Sequence, residues 1–400
     1  MKLASRLDRI EPFYVMECAK AAVEIARSPA CAGSPMIYLN IGEPDFTAPP
    51  PVLAAARACM EGGRTHYTQA TGEPALRDRI SRWYGERFGL DIAPQRIVVT
   101  AGASAALSLA CCALVDPGDR VLMTDPSYPC NRHFVAAFDG IPELVPVGPA
   151  ERFQMTAALL ERHWRDGCKG TLLASPANPT GTSIPFDELG RLLDVSRAHG
   201  GFSIVDEIYL GLSYDGVPRS ALEYGDDVIV TNSFSKYFHM TGWRLGWLVV
   251  PESTAPVFEK LSQNLFICPS TLAQHAALAC FEPESLAEFE RRREEFRRRR
   301  DYIVPALREI GLDVPVEPDG AFYVYVDCSR FSDDSAAFAD ELLRNAYVSV
   351  VPGDDFGAHE PHRYLRLSYA NTMENLREAI ARIGRYLQAR PGRGARSRAA

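Results

Sequence analysis

An α/β fold with a mostly parallel central sheet sandwiched by helices, accompanied by a smaller α/β domain, is what this sequence predicts. Three observations carry that expectation. From Arg96 onward, short apolar runs alternate with helical stretches, the mark of parallel strands joined by crossover helices. Five of those runs are followed at once by polar or glycine-rich residues, so each delivers chemistry to the carboxyl end of a strand. In an open α/β sheet such ends form one rim, where ligands bind. Finally, 400 residues with 46% hydrophobic and 24% charged composition can bury a large core and fill two domains.

Taken in order, the chain opens with a helix over 12–27. Pro12 is acceptable in its first turn, and Phe13, Met16, Ala19 and Val23 fall on one face. A break at 31–35 and the apolar Ile37-Tyr38-Leu39 lead into a turn from Asn40 to Phe46, where Gly42 can bring backbone close to a ligand. Helices follow over 51–60 and 72–88, joined through Arg64 to Thr68. The five expected strands are 97–100, 121–124, 171–174, 202–205 and 228–230. At their ends come Gly102-Ala103-Ser104, Asp125-Pro126-Ser127-Tyr128, Ser175-Pro176-Ala177-Asn178, Asp206-Glu207-Ile208-Tyr209 and a lysine segment. Past Pro251 the pattern is helical to Asn264, then again from Ser270 to Phe281. A long helix over 282–310 crosses into the smaller domain, which holds strand-like runs at 320–325, 348–351 and 364–369 and helices at 335–346 and 373–388. The expected division is an N-terminal segment 1–45 joining the small domain, a large domain 46–285, a small domain 286–388 and a disordered tail 389–400.

Composition excludes several function classes. The net charge of -8 disfavours non-specific nucleic-acid binding, and no apolar stretch reaches the roughly 18 residues of a membrane-spanning helix. The charged N-terminus has no signal-peptide core, so a cytoplasmic location is expected. Ten cysteines without a CxxC pair or regular spacing read as reduced core thiols, and no metal site is expected. The arginine run at 291–300 alternates with glutamates four apart and reads as a solvated helix face. His359 and His362 flank Glu360-Pro361, which forbids a helical metal pair.

The segment from Ser233 to Gly246 carries the chemistry. Lys236 follows a buried apolar run, where an ammonium is poorly solvated and its pKa can fall toward neutrality, leaving a nucleophilic amine. Ser233, Ser235 and Arg244 are the hydroxyls and the fork-shaped cation that a phosphate dianion uses. Together they point to a carbonyl-bearing phosphate ester held as a Schiff base on Lys236. The S-x-S-K motif, with Arg244 in a following G-x-R-x-G, resembles the lysine motif of the class I/II, fold-type I, pyridoxal-phosphate-dependent aminotransferases.

That resemblance extends from about residue 38 to residue 370, and what it implies is specific. V-D-E-I-Y is similar to the family's D-x-x-Y, which implies Asp206 at the ring nitrogen of pyridoxal 5′-phosphate and Tyr209 at the ring oxygen. Alone, Asp206 reads as the N-cap of a following helix. Gly102, Ala103 and Ser104 open a helix whose free N–H groups suit the phosphate. Tyr128 looks like the family's stacking aromatic, and otherwise like a packed turn tyrosine. Asn178 in S-P-x-N-P-T-G matches a family signature that faces the ring oxygen and the substrate carboxylate, with an Asx-turn as the structural alternative. R-L-S-Y-A implies that Arg366 takes the α-carboxylate, while Arg363 points to the other strand face and reads as a solvated charge.

Gly42 matches the segment that closes over the same carboxylate. Tyr67 matches a tyrosine that reaches the phosphate of the neighbouring subunit, which implies a homodimer. The implied reaction is transfer of an amino group from an L-amino acid to a 2-oxo acid, with 2-oxoglutarate the expected acceptor and Lys236, Asp206 and Tyr209 as the catalytic group. A lyase or decarboxylase on the same fold is the alternative reading, and a non-catalytic regulatory module a remote one. Members of the family that act on aspartate often carry a lysine where this chain has Ser104, which leans the donor toward a small, apolar or aromatic side chain.

Overall fold

The computed structural model describes residues 1–12, 14–31 and 33–390. Phe13 and most of the expected tail lie outside the described residues. Strands are numbered in chain order: β1 (Ile37–Tyr38), β2 (Ile97–Thr100), β3 (Arg120–Asp125), β4 (Ile141–Pro146), β5 (Cys168–Ala174), β6 (Phe202–Asp206), β7 (Ile229–Ser233), β8 (Gly246–Val249), β9 (Tyr323–Asp327), β10 (Val348–Ser349), β11 (Val351–Pro352) and β12 (Tyr364–Ser368).

Seven of them form a sheet in the order β2-β8-β7-β6-β5-β3-β4. Its neighbours are parallel except for β8, which runs antiparallel to β2 and β7. Helices cover both faces, so the inner strands are buried on both sides and read as unbroken apolar runs. Successive residues still divide between two cores. Val205, Val230 and Trp247 enter one, and their chain neighbours Ile204, Ile229 and Leu248 enter the other. Each such side chain contributes roughly 1.5–3 kcal/mol on burial.

Register then sets the site. Asp206 ends β6 opposite Ala174 on one side and Thr231 on the other. β7 runs on to Ser233 and is joined to β8 by a loop that carries both Lys236 and Arg244 over the same rim. Phe234 N–H donates to the Leu245 carbonyl at 3.0 Å and Met240 N–H to the Phe234 carbonyl at 2.9 Å, closing that loop on itself. Arg244 adopts φ 53°, the left-handed turn that returns the chain into β8.

A second sheet, β11-β12-β9, is antiparallel and pairs Arg366 with Val351 and Tyr325. β1 pairs in parallel with β10, which ties the N-terminal segment to residues 348–349. The run expected as one strand at 348–351 is split between these two sheets.

Two strands of the large sheet and three helices were not anticipated from the sequence. β4 contains Pro142 and Pro146, which an edge strand tolerates and which obscure its pattern. β8 is four residues long and emerges directly from the lysine loop. The helices Pro129–Ala137, Ala157–His163 and Phe186–Ala198 serve as crossovers.

The arginine run corrects an expectation. Arg291, Arg293, Arg297 and Arg298 pair with glutamates three residues earlier on the Pro283–Glu309 helix. Arg292, Arg299 and Arg300 instead turn inward and are buried. Arg299 reaches Asp45 at 2.7 Å, Arg300 reaches Asp215 at 2.8 Å, and Arg292 donates to the Thr47 carbonyl at 2.6 Å. The inner stripe Arg292, Phe296, Arg299, Arg300, Ile303 falls at helical spacing, so long stems pack while their heads find acceptors on other segments. Arg363, read as a solvated charge, is half-buried and paired with Asp327 at 2.7 Å.

Candidate active site

A cavity of about 480 Å³ opens at the carboxyl rim, and Lys236, Asp206, Arg244 and Arg366 all line it. Three separate segments of the sequence are thereby brought to one place.

Lys236 lies in the first turn after β7 and its Nζ donates to the Gly42 carbonyl at 2.6 Å. Protein surrounds the ammonium even though the side chain is reached through the cavity. Burial lowers its pKa to about 8, with Arg366 and Arg244 pushing the same way and Glu43 and Asp206 opposing. Asp206 shows the mirror effect. Burial raises its carboxyl to about 6, against the Thr231 hydroxyl, the Ile208 N–H and Lys236. Both of those hydrogen bonds, at 2.8 and 3.2 Å, fall on Oδ1. Neither of them uses Oδ2.

An anion cradle sits beside them. The Ala103–Leu114 helix begins at the rim, and Ala103 and Ser104 line the cavity with N–H groups that no preceding turn can satisfy. Gly102 caps that helix at φ +84°, and a Cβ there would collide with the Arg244 guanidinium. Arg244 Nη1 donates to the Thr241 carbonyl at 3.0 Å, which steadies the fork. Ser235 lines the cavity. Ser233 does not: it is buried, and its hydroxyl is engaged with Ser235 Oγ and the Leu245 carbonyl, both at 3.0 Å. Ser233 thus buttresses Ser235, and of the two only Ser235 faces the cavity. Gly102→Ala is expected to cost about 1–3 kcal/mol of stability, because φ +84° with ψ 171° is a backbone conformation essentially confined to glycine, and to displace the Arg244 guanidinium. Thermal melts and calorimetric titration with inorganic phosphate check it, with both stability and phosphate affinity reduced.

Arg366 projects from β12 with 1% of its surface exposed. Nη1 donates to Asn178 Oδ1 at 2.9 Å and Nη2 to the Asn40 carbonyl at 2.7 Å, while Nε has no partner. Neither acceptor is charged, and the buried Asp355 carboxyl acts on the guanidinium only electrostatically, so among the described residues this cation forms no direct ion pair. A buried charge without a direct ion pair is costly, and a carboxylate is the group whose geometry matches the open side of this fork. The Tyr323 and Phe356 rings flank the guanidinium at 4.5 and 4.9 Å.

Asn178, Tyr209, Tyr128 and Gly42 also line the cavity. Tyr67 does not, and is 83% exposed. Cys130 and His133, close in sequence to Tyr128, lie off the lining. Sequence reasoning missed Ile41, Leu107 and Ile208, which make an apolar wall with Val15, Met16 and Ala19 of the N-terminal Tyr14–Ala26 helix. It also missed Tyr323, whose hydroxyl meets that of Tyr209 at 2.8 Å. The helical spacing of Met16 and Ala19 is visible in the chain, but nothing local tells which hollow that face covers.

Comparison with known proteins follows the same line. Residues 34–383 match the family model described as aminotransferase class I and II. A valine–pyruvate aminotransferase of Mycobacterium tuberculosis is 40% identical over 380 residues, spanning 94% of this chain and 97% of the relative. An aspartate/prephenate aminotransferase of Thermus thermophilus is 34% identical over 388 residues, spanning 96% and 98%. Among solved structures, an aminotransferase from Mycobacterium tuberculosis superposes with a TM-score of 0.93 at 40% identity, covering 98% of this chain and 100% of that one. The aspartate aminotransferase from Thermus thermophilus with maleate gives 0.90 at 34% identity, covering 96% and 99%.

Proposed function

Because this chain belongs to the class I and II aminotransferases, we propose that it transfers the amino group of an apolar L-amino acid to a monocarboxylic 2-oxo acid with pyridoxal 5′-phosphate as its cofactor. When bound, that cofactor supplies an electron sink for charge developing on the substrate's α-carbon. The residues present fit its demands. Asp206 Oδ2, which neither of the two bonds to Oδ1 uses, would pair with the ring nitrogen's proton. Tyr209 and Asn178 serve the ring oxygen, Tyr128 the ring face, and Ser235, Arg244 and the N–H groups of Ala103 and Ser104 the phosphate.

Lys236 Nζ tethers the cofactor and, once released, is the base that takes the proton from the substrate's α-carbon. Its lowered pKa keeps a useful fraction neutral for that step. Arg366 and Asn178 hold the α-carboxylate, so the bond to be broken is presented to Lys236 and not swung away. Gly42, whose carbonyl already meets Lys236, closes the carboxylate side. Tyr67 is suited to a second copy's phosphate because it stands free of its own cavity, and exposed Leu53, Met60, Leu265, Phe266 and Ile267 offer surface that such a homodimer would cover.

The observation that carries the substrate reading is the cavity wall. Its apolar residues are Val15, Met16, Ala19, Ile41, Leu107 and Ile208, and its cations are Lys236, Arg244 and Arg366, each already matched to amine, phosphate or α-carboxylate. A second carboxylate on donor or acceptor would meet no further cation among the described residues that line the cavity. The name of the Mycobacterium tuberculosis relative agrees, whereas the sequence had pointed to 2-oxoglutarate as acceptor. The test is a panel of amino donors mixed with the holoenzyme, following loss of its visible absorption before any acceptor is added. Valine, leucine or alanine is expected to outpace aspartate by about 100-fold in kcat/KM, the cost of an unpaired buried carboxylate. Preference for aspartate or glutamate, or for 2-oxoglutarate over pyruvate in the second half, would overturn the substrate assignment. Release of ammonia without an acceptor would favour lyase chemistry.

A further inference from the structure

Tyr323 opens β9 and belongs to no role assigned so far. It is 1% exposed, and its hydroxyl lies 2.8 Å from that of Tyr209. Among the described residues this is the one hydrogen bond either hydroxyl makes. The Arg366 guanidinium stands 4.5 Å over its ring. Its hydroxyl also occupies the space a Cβ on Gly42 would need, against the backbone that accepts from Lys236. One phenol thus touches Tyr209 and Arg366, proposed for the ring oxygen and the carboxylate, and the Gly42 backbone that accepts from Lys236.

Burial raises both hydroxyls above the ordinary phenol range, so the pair keeps two protons near neutrality. One proton fills the mutual bond and the other points elsewhere. We infer that Tyr323 is a positioning residue whose hydroxyl donates to Tyr209 and so turns the Tyr209 proton into the cavity, toward the anionic ring oxygen of the bound cofactor. A donor whose own oxygen accepts a hydrogen bond is polarised and gives a stronger one. Tyr323 acts through Tyr209 and touches no reacting atom. The inference rests on the cofactor reading above.

The experiment is a pH titration of the visible absorption of enzyme reconstituted with pyridoxal 5′-phosphate, for the wild type, Tyr323→Phe, Tyr209→Phe and the double variant. Tyr323→Phe keeps the ring over Arg366 and removes one oxygen. Without it Tyr209 is a poorer donor, the ring oxygen is more basic, and the chromophore keeps its proton to higher pH. The midpoint is expected to rise by about half a unit to one unit, the size of one net hydrogen bond. Tyr209→Phe should move it further in the same direction, and the double variant should coincide with Tyr209→Phe because Tyr323 has nothing left to act through. A Tyr323→Phe curve that overlays the wild type, or a double variant whose shift is the sum of the singles, overturns the inference. A wild type that gives no visible band with the cofactor overturns the cofactor reading instead.

Discussion

Lys236→Ala is expected to bind pyridoxal 5′-phosphate without the lysine-dependent visible band and to lose turnover by about 10⁴-fold or more, since one amine both tethers the cofactor and moves the proton. Absorption spectra and single-turnover rates with a saturating amino donor check this. The sign of the pH dependence is fixed by the depressed pKa. An amine with pKa about 8 is about one-tenth neutral at pH 7, against under a thousandth for an ordinary lysine. The rate at which apo protein captures the aldehyde should therefore climb between pH 7 and 8 and level off above, where an unperturbed lysine would still be climbing at pH 9. The same shift has a stability consequence. The folded state binds the Lys236 proton less tightly than the unfolded chain, so this group opposes folding below its folded pKa, and the penalty fades as pH rises toward the unfolded value. Near-wild-type transamination by Lys236→Ala would remove the lysine from both of its roles.

Arg366→Lys is the second large effect. The charge survives, but a single ammonium cannot bond Asn178 Oδ1, the Asn40 carbonyl and a carboxylate in the geometry of the guanidinium fork. Loss of a buried, hydrogen-bonded charge pair is worth about 2–5 kcal/mol, so kcat/KM should fall by roughly 30-fold to several thousandfold. Because the contact is made in the ground state as well, much of this should appear as raised KM. Steady-state kinetics with an apolar donor decides it, with a circular-dichroism melt to verify the fold. An unchanged KM would place the substrate carboxylate elsewhere in the cavity.

The relation between chain and site is clearest at individual residues. The lysine motif, the Asp206–Tyr209 pair and the R-L-S-Y-A string each pack their chemistry into a few adjacent residues, so pattern alone located them. The parallel sheet was legible for a similar reason: strands buried on both faces must be short apolar runs. Strand β4 was not, because prolines that an edge position tolerates look like loop residues. The inward turn of Arg292, Arg299 and Arg300 was hidden because their acceptors, Thr47, Asp45 and Asp215, belong to other segments. Ser233 and Ser235 look alike in the sequence. Strand β7 ends at Ser233 and the chain turns at once, which keeps Ser233 inside the protein and leaves Ser235 facing the cavity.

The sequence by itself determined the family, the doubly covered parallel sheet and the amine, acid and cation that serve one rim, because each is written in residues adjacent along the chain. Only the tertiary structure decided the apolar wall from Val15, Met16 and Ala19, the Tyr209–Tyr323 contact and the unpaired Nε of Arg366. Those features join segments that are not adjacent along the chain. Burial and proton affinity there are set by what packs across the gap, and no local pattern records it.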